Sequence, residues 1–242
     1  MKGFILAAGL GTRLKPWTLE HPKALVPVAG VPMLERVICR LKENGFDDIT
    51  VNVHHFSNQI VDFLSEHDFG VNITISDESE DLLDTGGGLL KVAPDAPMLI
   101  HNVDILSDAP LREIMNDHIE SGRDITLVTS GRESSRKLLF DTDGKLSGWH
   151  NLKSGEYRPA GIEVDPVWSD EAFSGIYVVS PSVVPALRRY SERIGSEKFP
   201  IMDFLLSMPE GLNIGRKHLD NLRLIDIGKP ETLATAQEKL LR

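Results

Sequence analysis

A three-layer α/β fold built on a doubly wound, mostly parallel (mixed) sheet of Rossmann-like type is what this sequence predicts, and three observations predict it. Gly3 to Ala7 has no polar side chain, the composition of a strand buried on both faces of a parallel sheet. A strand–helix–strand–helix–strand rhythm then runs through Ile75, the pattern that builds such sheets. Directly after the first strand lies a glycine loop, Ala8-Gly9-Leu10-Gly11-Thr12, at a strand's carboxyl end, where ligands bind in this architecture.

The elements follow in order. The helix over Pro32 to Asn44 carries Met33, Leu34, Val37, Ile38 and Leu41 at helical spacing, and Gly45 ends it. Ile49 to Val53 is the second strand. Ser57 to Glu66, with Ile60, Val61, Phe63 and Leu64, is the second helix, and Val71 to Ile75 alternates as a third strand. The stretch SDESEDLLDTGGGLLKVAP begins acidic and ends helical, so Gly86, Gly87 and Gly88 open a short helix against which a ligand can lie directly. Met98 to Ile100 is a buried strand running into His101, Asn102, Val103 and Asp104, which puts a carboxylate in the ligand crevice. Leu111 to Ser121 reads as a helix and Asp124 to Thr129 as a strand. Arg136 to Phe140 and Lys145 to His150 form a hairpin around Asp141 to Gly144. Gly155 to Asp170 is polar and irregular. Ala172 to Val179 is a strand in which Ser174 and Gly175 let a ligand approach the backbone. Helices over Pro181 to Ser191 and Phe199 to Leu206 follow. Leu222 to Ile227 ends the sheet, with Asp226 before Gly228, and a helix runs from Pro230 to Leu240. With no repeat or low-complexity tract, one domain spans residues 1–242.

Composition excludes several classes. The 36 acids against 26 bases give a formal charge of −10, which argues against nucleic acid or an anionic membrane as the main partner. No apolar run approaches membrane-spanning length, and the amino terminus lacks a signal-peptide layout. The single cysteine, Cys39, fits a reducing compartment, so the expected location is the cytoplasm. The eight histidines show no zinc spacing. The dinucleotide fingerprint fails because Leu14 stands at its third glycine, and the second strand ends in Asn52, His54 and His55 rather than a ribose-binding acid. The mononucleotide P-loop pattern is absent. What remains is a loop offering backbone N–H groups, followed by three cations, Arg13, Lys15 and Lys23: a phosphate site of another kind.

At these residues the sequence resembles the sugar-1-phosphate nucleotidyltransferases. Their pattern, roughly AAGxGTRLxPxT followed by PKxLxPVxxxP, is matched by Ala7 to Thr18 and Pro22 to Pro32. The likeness runs to the carboxyl terminus. With its TGGG turn, FSGI strand and DxG ending, the chain is most similar to short bacterial N-acetylmuramate 1-phosphate uridylyltransferases. The resemblance implies a nucleotidyltransferase fold binding a nucleoside triphosphate and a sugar 1-phosphate. It places the nucleotide on Ala8, Gly9, Gly11, Thr12 and Arg13, with Glu78, Thr85 and Gly86 across from them. It places the acceptor on Lys23, Gly87, Asn102 and Gly175, and Mg²⁺ on Asp104 and Asp226, with Arg13 and Lys23 as the catalytic cations. Two departures stand out. Val103 replaces a usual glycine. The Glu-Lys pair that grips the sugar phosphate in many relatives is missing, with His150 and Asn151 near its place and Lys153 late.

Two arguments bear on the base. Glu78 or Asp81, if turned inward, would accept both adjacent donors of guanine and repel the carbonyls of uracil. The whole-chain likeness points to UTP. UTP is the expectation, with GTP and mannose or heptose 1-phosphate as the alternative. A non-catalytic, sugar-nucleotide-sensing subunit is a further alternative, opposed by the retention of Arg13, Lys23, Asp104 and Asp226.

Overall fold

The apolar run at the amino terminus forms β1 (Lys2–Leu6) at the heart of the sheet, where neither face meets water. A computed structural model describes residues 1–228 and 230–240. After β1 come 3-10 turns at Thr12–Leu14, Trp17–Leu19 and Lys23–Leu25, then β2 (Pro27–Val28), β3 (Val31–Pro32), α1 (Met33–Glu43), β4 (Asp48–Val53), α2 (Ser57–Glu66) and β5 (Asn72–Asp77). The middle of the chain supplies α3 (Asp84–Val92), β6 (Met98–Asn102), β7 (Ile105–Ser107), α4 (Leu111–Ser121), β8 (Ile125–Ser130), β9 (Arg136–Phe140), β10 (Leu146–Asn151) and β11 (Glu156–Arg158). The last part supplies β12 (Ser169–Val179), α5 (Val183–Ile194), α6 (Ile201–Leu206), β13 (Ile214–His218), β14 (Leu224–Asp226) and α7 (Pro230–Leu240).

The parallel strands lie in the order β5-β4-β1-β6. β12 then pairs antiparallel to β6, β8 antiparallel to β12, and β13 parallel to β8, giving the mixed, mostly parallel sheet that the sequence predicts. The amino-terminal residues of β12 also pair with β9, which carries β10 and β11 as a side ribbon. Side chains of adjacent strand residues enter different cores. Phe4, Ile100 and Tyr177 join Leu89, Leu187 and Phe204 from α3, α5 and α6 on one face. Ile5, Leu99 and Ile176 join Leu34, Ile60 and Ile114 from α1, α2 and α4 on the other. That is why the central strands read as unbroken apolar runs.

The end of the sheet departs from the sequence reading. Leu222 to Ile227 does not close it; β14 instead pairs with β7 in a separate two-stranded ribbon. The true last strand is β13, whose sequence Ile-Gly-Arg-Lys-His hides its role behind polar side chains. Those side chains have a partner. The buried carboxylate of Glu171 accepts from Arg216 Nη1, from Thr129 Oγ1 and from His218 Nδ1, the last at 2.8 Å. A paired, hydrogen-bonded charge is tolerated in the interior where a lone one is not. The stretch read as irregular between Gly155 and Asp170 contains β11. Cys39 is half-buried and unpaired, and burial pushes its thiol up. Among the described residues, no helix is long and apolar enough to cross a membrane.

His118 on α4 is buried, bridging Thr126 Oγ1 and Ser180 Oγ at 2.9 Å each. Burial, helped by Arg123, pushes its pKa down from 6.5 to about 4, against the pull of Asp124 and Asp117. Between those values the unfolded chain binds the extra proton, so this contribution to stability is whole above 6.5 and is lost as the pH falls towards 4. Replacing His118 by Gln should therefore cost stability at neutral pH, with the deficit against wild type narrowing as the pH falls. Thermal unfolding across the acid range measures this, and parallel curves for the two proteins would remove His118 as the titrating group.

Candidate active site

The site grows from the turn that follows β1. Gly11 adopts φ +60°, and a Cβ there would lie 2.8 Å from both Lys23 Cβ and Thr18 Cγ2, so only glycine fits. Thr18 Oγ1 donates to the Gly11 carbonyl at 2.9 Å and Leu14 N–H to the same oxygen at 2.8 Å. The loop is pinned from below by Asn52, at the end of β4. Its Oδ1 accepts from the N–H groups of Ala7 at 2.6 Å and Ala8 at 3.2 Å. Its Nδ2 donates to Glu78 Oε1 at 2.8 Å, while Glu78 Oε2 accepts from Leu83 N–H at 3.1 Å. Among the described residues, the N–H groups of Gly9, Leu10 and Gly11 make no hydrogen bond within the protein, and the three residues line the pocket, which leaves these donors available to an anion.

The pocket, about 420 Å³, is walled by Ala8, Gly9, Gly11, Thr12, Arg13 and Lys23 on one side and by Thr85, Asn102 and Asp104 on the other. These are residues the sequence singled out. Lys23 Nζ is paired with Asp104 Oδ2, and both side chains are largely shielded, 13% and 15% exposed. Val103, in place of the usual glycine, strains nothing: it is buried in the core below, and its N–H donates to the Leu6 carbonyl at 3.2 Å. Asp226 arrives on the β7–β14 ribbon, where Ile227 N–H donates to the Asp104 carbonyl at 2.9 Å. The point of convergence is Gly228. A Cβ there would lie 2.6 Å from an Arg13 guanidinium nitrogen, 2.8 Å from Asp226 Oδ1 and 3.3 Å from Asp104 Oδ2. Two carboxylates and two cations thus crowd one small space.

Among the described residues no group of three or more His, Cys, Asp or Glu gathers as a metal cluster. Two convergent carboxylates are nevertheless a donor set that suits Mg²⁺, a hard cation that keeps several waters and takes the rest of its oxygens from substrate phosphates.

Four assignments made from sequence are corrected. Glu78 does not line this pocket: it is buried and both its oxygens are engaged by Asn52 and Leu83. Gly86 and Gly87 do not meet a ligand in it either. Their N–H groups donate to the Phe199 carbonyl at 2.9 and 3.3 Å, and a Cβ on Gly86 would lie 2.8 Å from that oxygen. Their bareness lets α3 pack against the segment before α6. Gly175, at φ +80°, makes room for the side chain of Asn102, whose Nδ2 would be 2.9 Å from a Cβ there. Lys15, to which the resemblance gave no role, is exposed and outside the pocket. Conversely, the sequence reading passed over Asn52 and Asp84, both pocket-lining. The signal for Asn52 was visible: a lone amide ending an apolar strand beside the glycine loop.

The family model described as nucleotidyl transferase matches residues 2–140. The chain belongs to the nucleotidyl transferase family. It is 30% identical over 211 residues to the mannose-1-phosphate guanyltransferase of Gibberella zeae, covering 84% of this chain and 56% of that protein. It is 30% identical over 251 residues to the UTP–glucose-1-phosphate uridylyltransferase of a Synechocystis species, covering 95% of this chain and 60% of the other. The chain thus spans little more than half the length of these curated relatives. Two solved structures share the fold at 21% identity. A putative glucose-1-phosphate thymidylyltransferase from Bacillus anthracis, in complex with a sucrose, has a TM-score of 0.78 and covers 99% of this chain and 94% of its own. HddC from Yersinia pseudotuberculosis, complexed with GMP-PN, has a TM-score of 0.76 and covers 99% of each chain.

Replacing Asn52 by Ala in this family member would leave the buried N–H groups of Ala7 and Ala8 without an acceptor. The expected cost is about 1–3 kcal/mol. Glu78→Gln keeps one acceptor of two and should cost less. Urea unfolding measures both, and an Asn52→Ala protein as stable as wild type would show that the loop is held by something else.

Proposed function

We propose that this chain transfers a nucleoside monophosphate from a nucleoside triphosphate, UTP by preference, to a sugar 1-phosphate and releases pyrophosphate with the help of Mg²⁺. The observation that carries the reading is the convergence of Asp104, Asp226 and Arg13 around Gly228, with Lys23 paired to Asp104. An oxygen of the sugar phosphate attacks the α-phosphorus in line. The new P–O bond forms as the bond to the β-phosphate oxygen breaks, and the electron pair leaves on pyrophosphate. The nucleophile is already an anion, so no general base is needed, and catalysis reduces to positioning and charge neutralisation. The N–H groups of Gly9, Leu10 and Gly11 receive the triphosphate. Arg13 neutralises the departing pyrophosphate, and Lys23 turns towards the α-phosphate. Asp104 and Asp226 would hold Mg²⁺, which when bound offsets charge on the reacting phosphates.

UTP is favoured because neither Glu78 nor Asp81, the two carboxylates the sequence offered to guanine, lines the pocket. Glu78 is engaged inside the protein, and Asp81 is exposed on the wall of a different depression. Backbone groups of the glycine loop are left to read the base, which suits uracil. N-acetylmuramic acid 1-phosphate, which the likeness in sequence indicates, is the acceptor of this reading, in cell-wall recycling. A second reading, GTP with mannose or heptose 1-phosphate, is favoured by the mannose-1-phosphate guanyltransferase relatives and by Asp84, a carboxylate in the pocket wall.

Pyrophosphate release measured with each triphosphate against N-acetylmuramic acid, N-acetylglucosamine, mannose and heptose 1-phosphates should give the highest kcat/KM with UTP. A GTP preference above about tenfold, or 1.4 kcal/mol in transition-state binding, selects the second reading instead. In the same assay Asp104→Asn and Asp226→Asn should each lower turnover by about 10²-fold or more while leaving the fold intact. EDTA should abolish turnover and Mg²⁺ restore it. Full activity in EDTA or in either variant would end the two-carboxylate proposal.

A further inference from the structure

The pocket wall across from the glycine loop carries a carboxylate that neither the phosphates nor the metal site uses. Asp84 lines the pocket, half-buried, as the first residue of α3. Its Oδ1 accepts from the Thr85 N–H at 2.6 Å. Among the described residues its Oδ2 has no hydrogen-bond or ion-pair partner. Thr85 is fixed in turn, since its Oγ1 accepts from the Ile201 N–H at 2.9 Å. One edge of the carboxylate is therefore held by the protein, and one oxygen is left over in a ligand pocket.

Topology says which part of a ligand reaches that oxygen. The strands run in the order β5-β4-β1-β6. Asp84 follows β5 and Asp104 follows β6, so the glycine loop, which leaves β1, has one of them on each flank. The Asp84 segment is tied to the β4 flank, because Glu78 accepts from Asn52 Nδ2 at 2.8 Å and from the Leu83 N–H at 3.1 Å. Asp104, Asp226 and Arg13 gather around Gly228 on the other flank. A nucleotide with its reacting phosphates there carries its base towards β4, where Leu82 and Asp84 line the pocket.

We propose that Asp84 reads the base, accepting the ring N–H of a keto base, N3–H of uracil or N1–H of guanine. It turns away the bases that present a lone pair at that place, cytosine at N3 and adenine at N1. The inference rests on the transferase reading above and holds for either triphosphate considered there. A carboxylate is an acceptor only, so against a ring lone pair both groups are left unpaired, which costs binding. With Oδ1 committed to Thr85, one oxygen remains, enough for the single ring N–H that uracil and guanine share.

The test reverses the hydrogen bond. In Asp84→Asn the amide oxygen keeps the Thr85 N–H, so the amide NH₂ stands where Oδ2 stood and donates instead of accepting. The ratio of kcat/KM for UTP over CTP, or for GTP over ATP if guanine is used, should fall by about 10²-fold, with the amino base itself improving. Asp84→Gly suits the backbone, which has φ +61° at this residue, and should lower the ratio without improving CTP or ATP. If Asp84 serves only to hold the Thr85 N–H, all four triphosphates lose kcat/KM together at an unchanged ratio, and the proposal falls. Calorimetric titration with the same triphosphates, without a sugar 1-phosphate, separates this inference from the reading beneath it. A Kd ratio that shifts in Asp84→Asn upholds the base reader even where no sugar 1-phosphate turns over, and in that case the transferase reading is what fails. Turnover with an unchanged ratio in Asp84→Asn overturns the base reader and leaves the transferase standing. Wild type that binds none of the four overturns both.

Discussion

The site depends on the amide of one side chain, Asn52. Asn52 closes a hydrogen-bonded chain from Glu78 to the N–H groups of Ala7 and Ala8, and so fixes where β1 stops and the glycine loop begins. A Cβ on Gly88 would lie 2.8 Å from Glu78 Oε1 and 3.2 Å from Asn52 Nδ2, so α3 must be bare there for the chain of bonds to exist. Three strands' ends and one helix therefore meet at a single amide. Ala7 and Ala8 are thus satisfied by Asn52, while among the described residues the next three N–H groups have no protein partner, which gives the loop its capacity for anions.

Much of this was legible in sequence because the same local rule acts in both places. Helix α1 buries Met33, Leu34, Val37, Ile38 and Leu41, the residues its spacing predicts. The fit of Gly11 between Thr18 and Lys23 explains why the loop pattern extends into the segment beyond it. What was not legible has a common cause. A glycine that makes room for protein looks the same in sequence as one that makes room for a ligand. Gly86 and Gly87 serve Phe199 and Glu197, and Gly175 serves Asn102, so the removal of a side chain was visible but its beneficiary was not.

The sheet edge was misread for a related reason. Periodicity reports burial of apolar surface, and β13 is held by a polar network centred on Glu171, which leaves no apolar trace. Leu224 and Ile225 do leave one, because they pack on the core from the β7–β14 ribbon rather than from within the sheet. The consequence for the site is favourable. A ribbon paired to the segment after Asp104 sets Asp226 beside it directly, without relying on the spacing between neighbouring sheet strands.

That arrangement treats the two carboxylates differently. Asp104 is shielded and paired with Lys23, while Asp226 is exposed and caps the Gly228 N–H at 2.7 Å. Two like charges this close repel each other. Lys23 offsets one and Arg13, at Gly228, the other. The four groups sum to no net charge inside a chain of charge −10. A site balanced in this way neither repels a triphosphate outright nor holds one by charge alone. On the proposed reading, such a site suits ligands that arrive with their own compensation, a metal cation together with phosphates. The acidity of the whole chain then ceases to be an objection to an anionic substrate, because the field that matters is set by these four side chains and the free N–H groups beside them.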